Sequence, residues 1–252
     1  VARERIDTLL VTRGLVESRA RAQARILAGD VVVDDHRIDK PGTRVSTEAA
    51  IRLKGPGIPW VSRGGVKLEG ALQAFAVDVA GAVCVDVGAS TGGFTDVLLT
   101  RGATSVYAID VGWGQLHSKL LQDPRVQNLE RTHIARLEQG ALNPAPTVAV
   151  LDVSFISLRQ VLPALDRHLA PSCTIVTLIK PQFEVGRENV GKGGIVRDVA
   201  ARDAAVTDVV AAAVGLGWQH VGTIPSPIEG ADGNVEFLAC FRRGVESSCA
   251  PS

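Results

Sequence analysis

Beyond residue 80, short apolar runs alternate with amphipathic stretches, and this alternation constrains the fold more than any other feature of the chain. Runs at residues 83–87, 105–109, 147–151 and 174–179 have strand length and carry Val or Ile, and residues 126–129 are expected as a further short strand. Between them, residues 93–101 and 158–168 read as helices. Residues 198–216 form a longer one, with Val199, Val206, Val210 and Val214 at helical spacing. Late strands are expected over 219–224 and 235–241. A chain that alternates in this way folds as an α/β domain with a doubly wound, mostly parallel sheet.

The first 60 residues follow another pattern. Ile6, Leu9, Leu10 and Leu15 recur at helical spacing up to Gly14, and Ser18 can cap a second helix over 19–28 that stops at Gly29. Val31, Val32 and Val33 face Arg37 and Ile38 across Asp34-Asp35-His36, a tight hairpin, and residues 50–53 make another short strand. The punctuated run Gly55-Pro56-Gly57-Ile58-Pro59 ends this part. The expected organisation is a small α+β domain over 1–55, a linker over 56–62, an α/β domain over 63–244 that opens on a helix at 65–75, and a flexible tail over 245–252.

The formal net charge of +0 conceals an asymmetry. Residues 1–70 hold 13 Lys+Arg and 9 Asp+Glu, and the remainder holds 14 and 18. A basic first part joined to an acidic remainder suits a polyanionic partner, and chance imbalance on a solvated surface accounts for it equally. Cys84, Cys173, Cys240 and Cys249 form no C-x-x-C pair, and they read as reduced residues of a cytoplasmic protein. No run approaches the roughly 18 apolar residues of a membrane span, no charged-then-apolar leader with a small-residue cleavage site is expected, and the five histidines have no metal-ligand spacing.

Chemistry is concentrated where strands end. The strand ending in Asp86-Val87 runs into Gly88-Ala89-Ser90-Thr91-Gly92-Gly93-Phe94, at the edge where doubly wound sheets bind ligands. About 20 residues on, a second strand ends in Asp110, whose carboxylate can accept hydrogen bonds from both hydroxyls of an adenosine ribose. Dinucleotide binding requires glycine where this chain has Ser90. A sulfonium cofactor carries no pyrophosphate, so S-adenosylmethionine is favoured over NAD, with Asp86 near its amino-acid end. Asp152 and Lys180 end two further strands, Lys67 lies on the helix after the linker, and Glu236 interrupts a late strand. Each alone is more often a structural ion pair; together they can form a Lys-Asp-Lys-Glu tetrad.

The stretches Asp86-Val87-Gly88-Ala89-Ser90-Thr91-Gly92-Gly93-Phe94-Thr95, Asp152-Val153-Ser154-Phe155-Ile156-Ser157-Leu158 and Lys180-Pro181-Gln182-Phe183-Glu184 closely resemble the TlyA family. The resemblance runs from about residue 3 to residue 241. It implies an RNA-binding domain of the ribosomal S-four type followed by an FtsJ-like, Rossmann-like class I methyltransferase domain. It further implies 2'-O-methylation of ribosomal RNA, with cytidines of the small subunit, and in some members of both subunits, as targets. Such methylation favours binding of cyclic-peptide antibiotics to the ribosome. The residues matching the family's tetrad are Lys67, Asp152, Lys180 and Glu236, and Glu130 joins the cofactor residues. Two positions depart from the pattern: His133 stands where relatives often carry Asn, and Ile58 where some carry Arg.

A ribose hydroxyl is a weak nucleophile. Lys180 can act as its base if Lys67, as a neighbouring cation, and partial burial favour the neutral amine, with Asp152 orienting the ammonium groups and Glu236 holding Lys67 or the ribose. Alternatively Lys180 stays protonated and stabilises the developing alkoxide. RNA contacts are expected from Arg3, Arg5, Arg19, Arg21, Arg25 and Arg63, and from Lys192 in the glycine-rich loop 191–197; solvated helix surface is the plain alternative for the arginines. Competing classes are a cytolysin, since family members have been described as haemolysins, a non-catalytic RNA-binding protein and a nicotinamide oxidoreductase. The charges Arg202, Asp203 and Asp208 in the longest helix, the intact tetrad and Ser90, respectively, weigh against them.

Overall fold

The computed structural model describes residues 2–16, 18–27, 29–54, 58–230 and 233–244. The chain divides into two compact units, Val1–Arg63 and Gly64–Ser252. By this division the linker expected over 56–62 belongs to the first unit, with residues 56 and 57 outside the described ones. The expected tail, 245–252, also lies outside them.

The first unit runs β1 (Arg3–Arg5), α1 (Ile6–Thr12), α2 (Arg19–Leu27), β2 (Val31–Val33), β3 (His36–Ile38), β4 (Arg44–Ser46) and β5 (Ile51–Leu53). Ile6, Leu9 and Leu10 from α1 meet Ala22 and Ile26 from α2 and the valines of β2 in one apolar core. The β2–β3 hairpin turns on Asp34 and Asp35, both at positive φ (46° and 64°), as a two-residue turn matching strand twist requires. The Asp34 carboxylate accepts the Ala50 N–H at 2.8 Å and so fixes the entry to β5, which pairs with the other side of β2. The helix expected to include Leu15 ends at Thr12 instead, and Leu15 is exposed. The β1–β4 pair was not expected, because Arg3-Glu4-Arg5 carries no apolar signal; its antiparallel ladder is set by tertiary position.

The second unit contains α3 (Gly64–Ala74), β6 (Val83–Val87), α4 (Gly93–Thr100), β7 (Ser105–Ile109), α5 (Ser118–Leu121), β8 (Val126–Leu129), β9 (Val148–Leu151), α6 (Leu158–Asp166), β10 (Cys173–Ile179), α7 (Pro181–Glu184), α8 (Val199–Gly215), β11 (Gln219–Pro225) and β12 (Phe237–Arg243). They build a seven-stranded sheet in the order β11-β12-β10-β9-β6-β7-β8. Five strands are parallel, and β12 inserts antiparallel between β10 and β11. The chain winds outward from β6 through β7 and β8, then returns to place β9 and β10 on the other side of β6. That reversal opens a crevice between the ends of β6 and β9. All four residues of β9 are buried, as strands covered on both faces require. Side chains cap the flanking helices: Ser157 accepts the Arg159 N–H at 3.2 Å and Asp198 accepts the Ala200 N–H at 2.8 Å. Strand β12 starts at Phe237, so Glu236 precedes the strand rather than interrupting it. Among the described residues no helix is long and apolar enough to cross a membrane.

One ionic cluster ties the first unit together. Asp7 is fully buried. Its carboxylate accepts two bonds from Arg5 (3.0 and 2.9 Å), one from Arg19 (3.0 Å), one from Gln23 (3.1 Å) and the Thr8 N–H (3.0 Å). It thereby joins β1, α1 and α2. The Arg5 guanidinium holds the Asp7 carboxyl well below the usual carboxylate range, against the opposing effect of burial. A depressed carboxylate stabilises the fold above its unfolded pKa of about 3.9 and loses that contribution as pH falls below it. Replacing Asp7 with Ala removes a buried acceptor shared by Arg5, Arg19 and Gln23, while both arginines stay partly solvated, and should destabilise the first unit by about 2 kcal/mol at pH 7. Denaturant unfolding at pH 7 and pH 3 checks this: the gap between wild type and D7A should narrow at the lower pH, and a constant gap contradicts it.

Candidate active site

The crevice is shaped by a close approach. Gly88 has φ 86°, and a Cβ there would lie 2.5 Å from the carbonyl oxygen of Asp152, so only glycine lets the turn after β6 pass beside the end of β9. The Gly88 and Ala89 N–H groups donate to the Ile109 carbonyl at 2.8 and 3.1 Å. Asp110 braces two turns at once, accepting the Ser90 N–H at 2.7 Å and the Gly112 N–H at 2.6 Å. Between these turns and the segment after β9 lies a cavity of about 670 Å³. Its walls include Ile109, Val111, Ile134, Val153 and Ile156, and the charged side chains lining it, among the described residues, are Asp110 and Asp152.

Of the residues expected to hold a cofactor, Gly88, Ser90, Asp110 and Asp152 line the cavity. The others stand behind it. Ala89 and Phe94 are buried, Gly92 and Gly93 start α4, and the Thr91 carbonyl accepts the His117 N–H at 3.2 Å. Glu130 accepts the Gln115 N–H at 3.2 Å, and backbone N–H groups of this loop, Gly114 foremost, hold its carboxyl below the ordinary value. Sequence reasoning missed Val111, Gln115, Thr132, Ile134, Ser154 and Phe155 as wall residues. They share a simple signal, for most of them follow a strand end by one to five positions. His133 also lines the cavity, and its Nδ1 accepts the Ala135 N–H at 3.2 Å at the start of a 3-10 turn, Ile134–Arg136. An Asn at this position can cap the turn in the same way.

Asp86 lies beneath the glycine turn and is fully buried. Thr95 donates its hydroxyl to Oδ2 at 2.6 Å, and Oδ1 has no hydrogen-bond partner among the described residues. Burial pushes the carboxyl up to about 7; Thr95 opposes the shift, and the charges of Asp152 and Asp110 add to it.

The four residues of the expected tetrad form two ion pairs at one edge of the sheet. Lys180 Nζ lies 2.6 Å from Asp152 Oδ1 and donates to Ser154 Oγ at 2.8 Å. Lys67 Nζ, from α3, lies 2.5 Å from Glu236 Oε2, with both side chains buried. Ile179 and Phe237 form the last rung between β10 and β12. Lys180 and Glu236 therefore step off adjacent strands side by side, and the two pairs become neighbours through the register. Glu184 accepts Ser157 Oγ at 2.5 Å and the Leu158 N–H at 2.8 Å. It anchors the segment between β9 and α6, and burial pushes its carboxyl upward. That segment holds Phe155 at φ 64° with 91% of its surface exposed, its ring 5.0 Å from that of Phe183. A left-handed conformation in a bulky residue costs about 1–3 kcal/mol.

The expected RNA-contacting arginines have different fates. Arg5 and Arg19 are partly exposed while bound to Asp7, Arg3 donates to the Arg44 carbonyl at 3.0 Å, and Arg21 donates to the Trp60 carbonyl at 3.3 Å. Arg25, also expected among them, has a buried side chain that donates to the Lys54 carbonyl at 2.7 Å and lies 3.7 Å from Asp30. Arg63 is half-buried, and Lys192 is exposed.

The state of Asp86 can be tested by titration. A carboxyl raised from an ordinary value near 3.9 to about 7 keeps its proton longer in the folded state. Stability should therefore fall as pH rises between those values. In D86N that slope should be shallower, so the difference in thermal midpoint between variant and wild type should shift in the variant's favour from pH 5 to pH 8. Parallel pH profiles for the two proteins contradict the assignment.

With this geometry established, comparison with known proteins is direct. The FtsJ-like methyltransferase family matches residues 60–243, and the S4 domain family matches residues 4–51. The chain is 49% identical over 241 residues to the 16S/23S rRNA (cytidine-2'-O)-methyltransferase TlyA of Mycobacterium tuberculosis, covering 95% of this chain and 90% of that one. It is 41% identical to Hemolysin A of Brachyspira hyodysenteriae, covering 94% and 99% of the two chains. A solved structure from Streptococcus thermophilus, provisionally described as a hemolysin, superposes with a TM-score of 0.76 at 44% identity, covering 96% of this chain and 88% of that one. A glycine-lined crevice at the strand reversal and a sheet with one antiparallel strand thus coincide with matches spanning nearly the whole chain, and the protein belongs to the FtsJ-like methyltransferase family, in the TlyA group that carries an S4 domain at the N-terminus.

Proposed function

We propose that this protein transfers a methyl group from S-adenosylmethionine to the 2'-hydroxyl of a cytidine ribose in ribosomal RNA. The observation that carries the reading is the lining of the crevice. A cavity of about 670 Å³ whose charged walls among the described residues are Asp110 and Asp152 suits a cationic, partly apolar ligand better than a pyrophosphate, which two carboxylates repel. Asp110 reaches the ribose end of such a ligand, and the apolar residues Val111, Ile134 and Val153 suit the faces of its adenine. The bound cofactor supplies a methyl group activated by a sulfonium.

The chain's own residues then handle the substrate. Lys180, fixed by Asp152 and Ser154, is aimed to meet the 2'-oxygen and to stabilise charge as the oxygen–carbon bond forms, the carbon–sulfur bond breaks and the hydroxyl proton passes to solvent. A base role drawing on repulsion from Lys67 is less well supported, because each ammonium has its own carboxylate at 2.5–2.6 Å. Lys67 and Glu236 form the wall against which the ribose is positioned, and positioning is the main contribution to an in-line displacement. Phe155, exposed on a strained backbone beside Lys180, offers its ring to the base of the target nucleotide. The basic first unit, with Arg3, Arg5, Arg19 and Arg21 on its surface, provides affinity for phosphate. The mycobacterial relative's name supplies cytidine and ribosomal RNA as the substrate.

K180A should lower methyl transfer to ribosomal subunits by about 10²-fold or more while leaving cofactor affinity, measured by calorimetry, within about twofold. F155A should lower kcat/KM for RNA by about tenfold, the loss of one stacking contact. Full turnover in K180A overturns the proposed chemistry.

A further inference from the structure

We propose that Trp113 and Arg131 form a second nucleotide-stacking platform at the rim of the crevice, which takes an unpaired RNA base flanking the target. This rests on the reading of the protein as an RNA methyltransferase and extends it to a surface outside the tetrad. Trp113 leaves 69% of its surface exposed, and its neighbour Val111 leaves 68% exposed. Large apolar side chains are this open only at some expense in hydration, and Trp113 occupies a turn that is built rather than loose. The Arg131 N–H donates to the Gly112 carbonyl at 2.9 Å, the Thr132 N–H donates to the Asp110 carbonyl at 2.9 Å, and the Asp110 carboxylate holds the Gly112 N–H. These bonds lock the loop after β7 to the loop after β8. Arg131 itself adopts φ 54°, and its guanidinium carbon stands 4.8 Å from the centre of the Trp113 ring.

The chemistry of the pair selects its occupant. An indole backed by a guanidinium presents a flat π-face beside a fixed positive charge, which fits a base and its phosphate. The cofactor is a poor candidate, because it is cationic and the cavity walls that suit it are acidic. Val111, Gly112 and Thr132 line the cavity whereas Trp113 and Arg131 do not, so the platform adjoins the crevice from outside. Sequence-tolerant stacking at the rim of the crevice would hold the strand open and slow its departure.

The test measures two affinities on the full chain. Binding of S-adenosylmethionine is followed by calorimetry, and binding of small and large ribosomal subunits lacking the modification is followed separately by filter retention. W113A should weaken binding to the modified class of subunit by about tenfold with cofactor affinity unchanged, and W113F should recover most of the loss. R131A should weaken subunit binding and lower the slope of log affinity against log salt by about 1. Equal subunit affinity in wild type and W113A overturns the proposal, as does weaker cofactor binding in W113A with subunit affinity intact, which would assign the ring to the adenine. Retention of subunits by wild type without any methyl transfer would instead sink the enzymatic reading, and the W113A comparison would still decide the platform.

Discussion

The contact between Gly88 and the Asp152 carbonyl is the constraint on which the second unit's site depends. It occurs where the order of strands reverses, so two chain segments that leave the sheet in opposite winding directions must pass within van der Waals distance. Any side chain at position 88 pushes the glycine turn away from β9. With that approach in place, one strand end supplies the turn and the other supplies Asp152, and the next strand brings Lys180 to Asp152. The crevice and the ionic edge are thus consequences of one packing relation. The acidic lining follows as well: Asp110 and Asp152 follow the ends of the two strands that flank β6, and their charges add to the burial that pushes the carboxyl of Asp86, beneath the glycine turn, up to about 7.

Supporting side chains fix what the backbone brings together. Asp110 spends its carboxylate on two backbone N–H groups, Glu184 on the start of α6, and Glu130 on the loop at 114–116. Each braces a loop that forms a cavity wall, so the walls are preorganised instead of waiting for a ligand. Phe155 is the exception that reveals demand: a bulky residue in the left-handed region, held open to solvent, is kept by its surroundings at a cost to the fold. In the first unit Asp7 plays the bracing part, fixing Arg5 and Arg19 while leaving them partly exposed.

Much of this was legible in the sequence, for reasons that can be named. The strands β6, β7, β9 and β10 are short apolar runs bounded by polar turns, and their ends carry the acids and Lys180 that mark the crevice. Local signals failed where tertiary structure decides. Arg3-Glu4-Arg5 pairs with β4 without any apolar pattern, and α5 and α7 are four residues each, too short to show a period. Arg25 has the composition of a surface arginine, but its position on α2 buries it against Lys54 and Asp30. The adjacency of the two ion pairs was likewise out of reach, since only the register of β10 against β12 puts Lys180 beside Glu236. The cavity walls at Ser154 and Phe155 lay inside a recognised motif, yet their roles depend on a backbone conformation that residue type alone disfavours.

The central claim is that this crevice and its ionic edge direct a methyl group to a ribose oxygen. It is tested most directly by incubating unmodified ribosomal subunits with the protein and S-adenosylmethionine, digesting the RNA to nucleosides and identifying the product by mass spectrometry. The account predicts 2'-O-methylcytidine that depends on both protein and cofactor. Methylation on a base, or no methylated nucleoside at all under conditions where the cofactor binds, would contradict it.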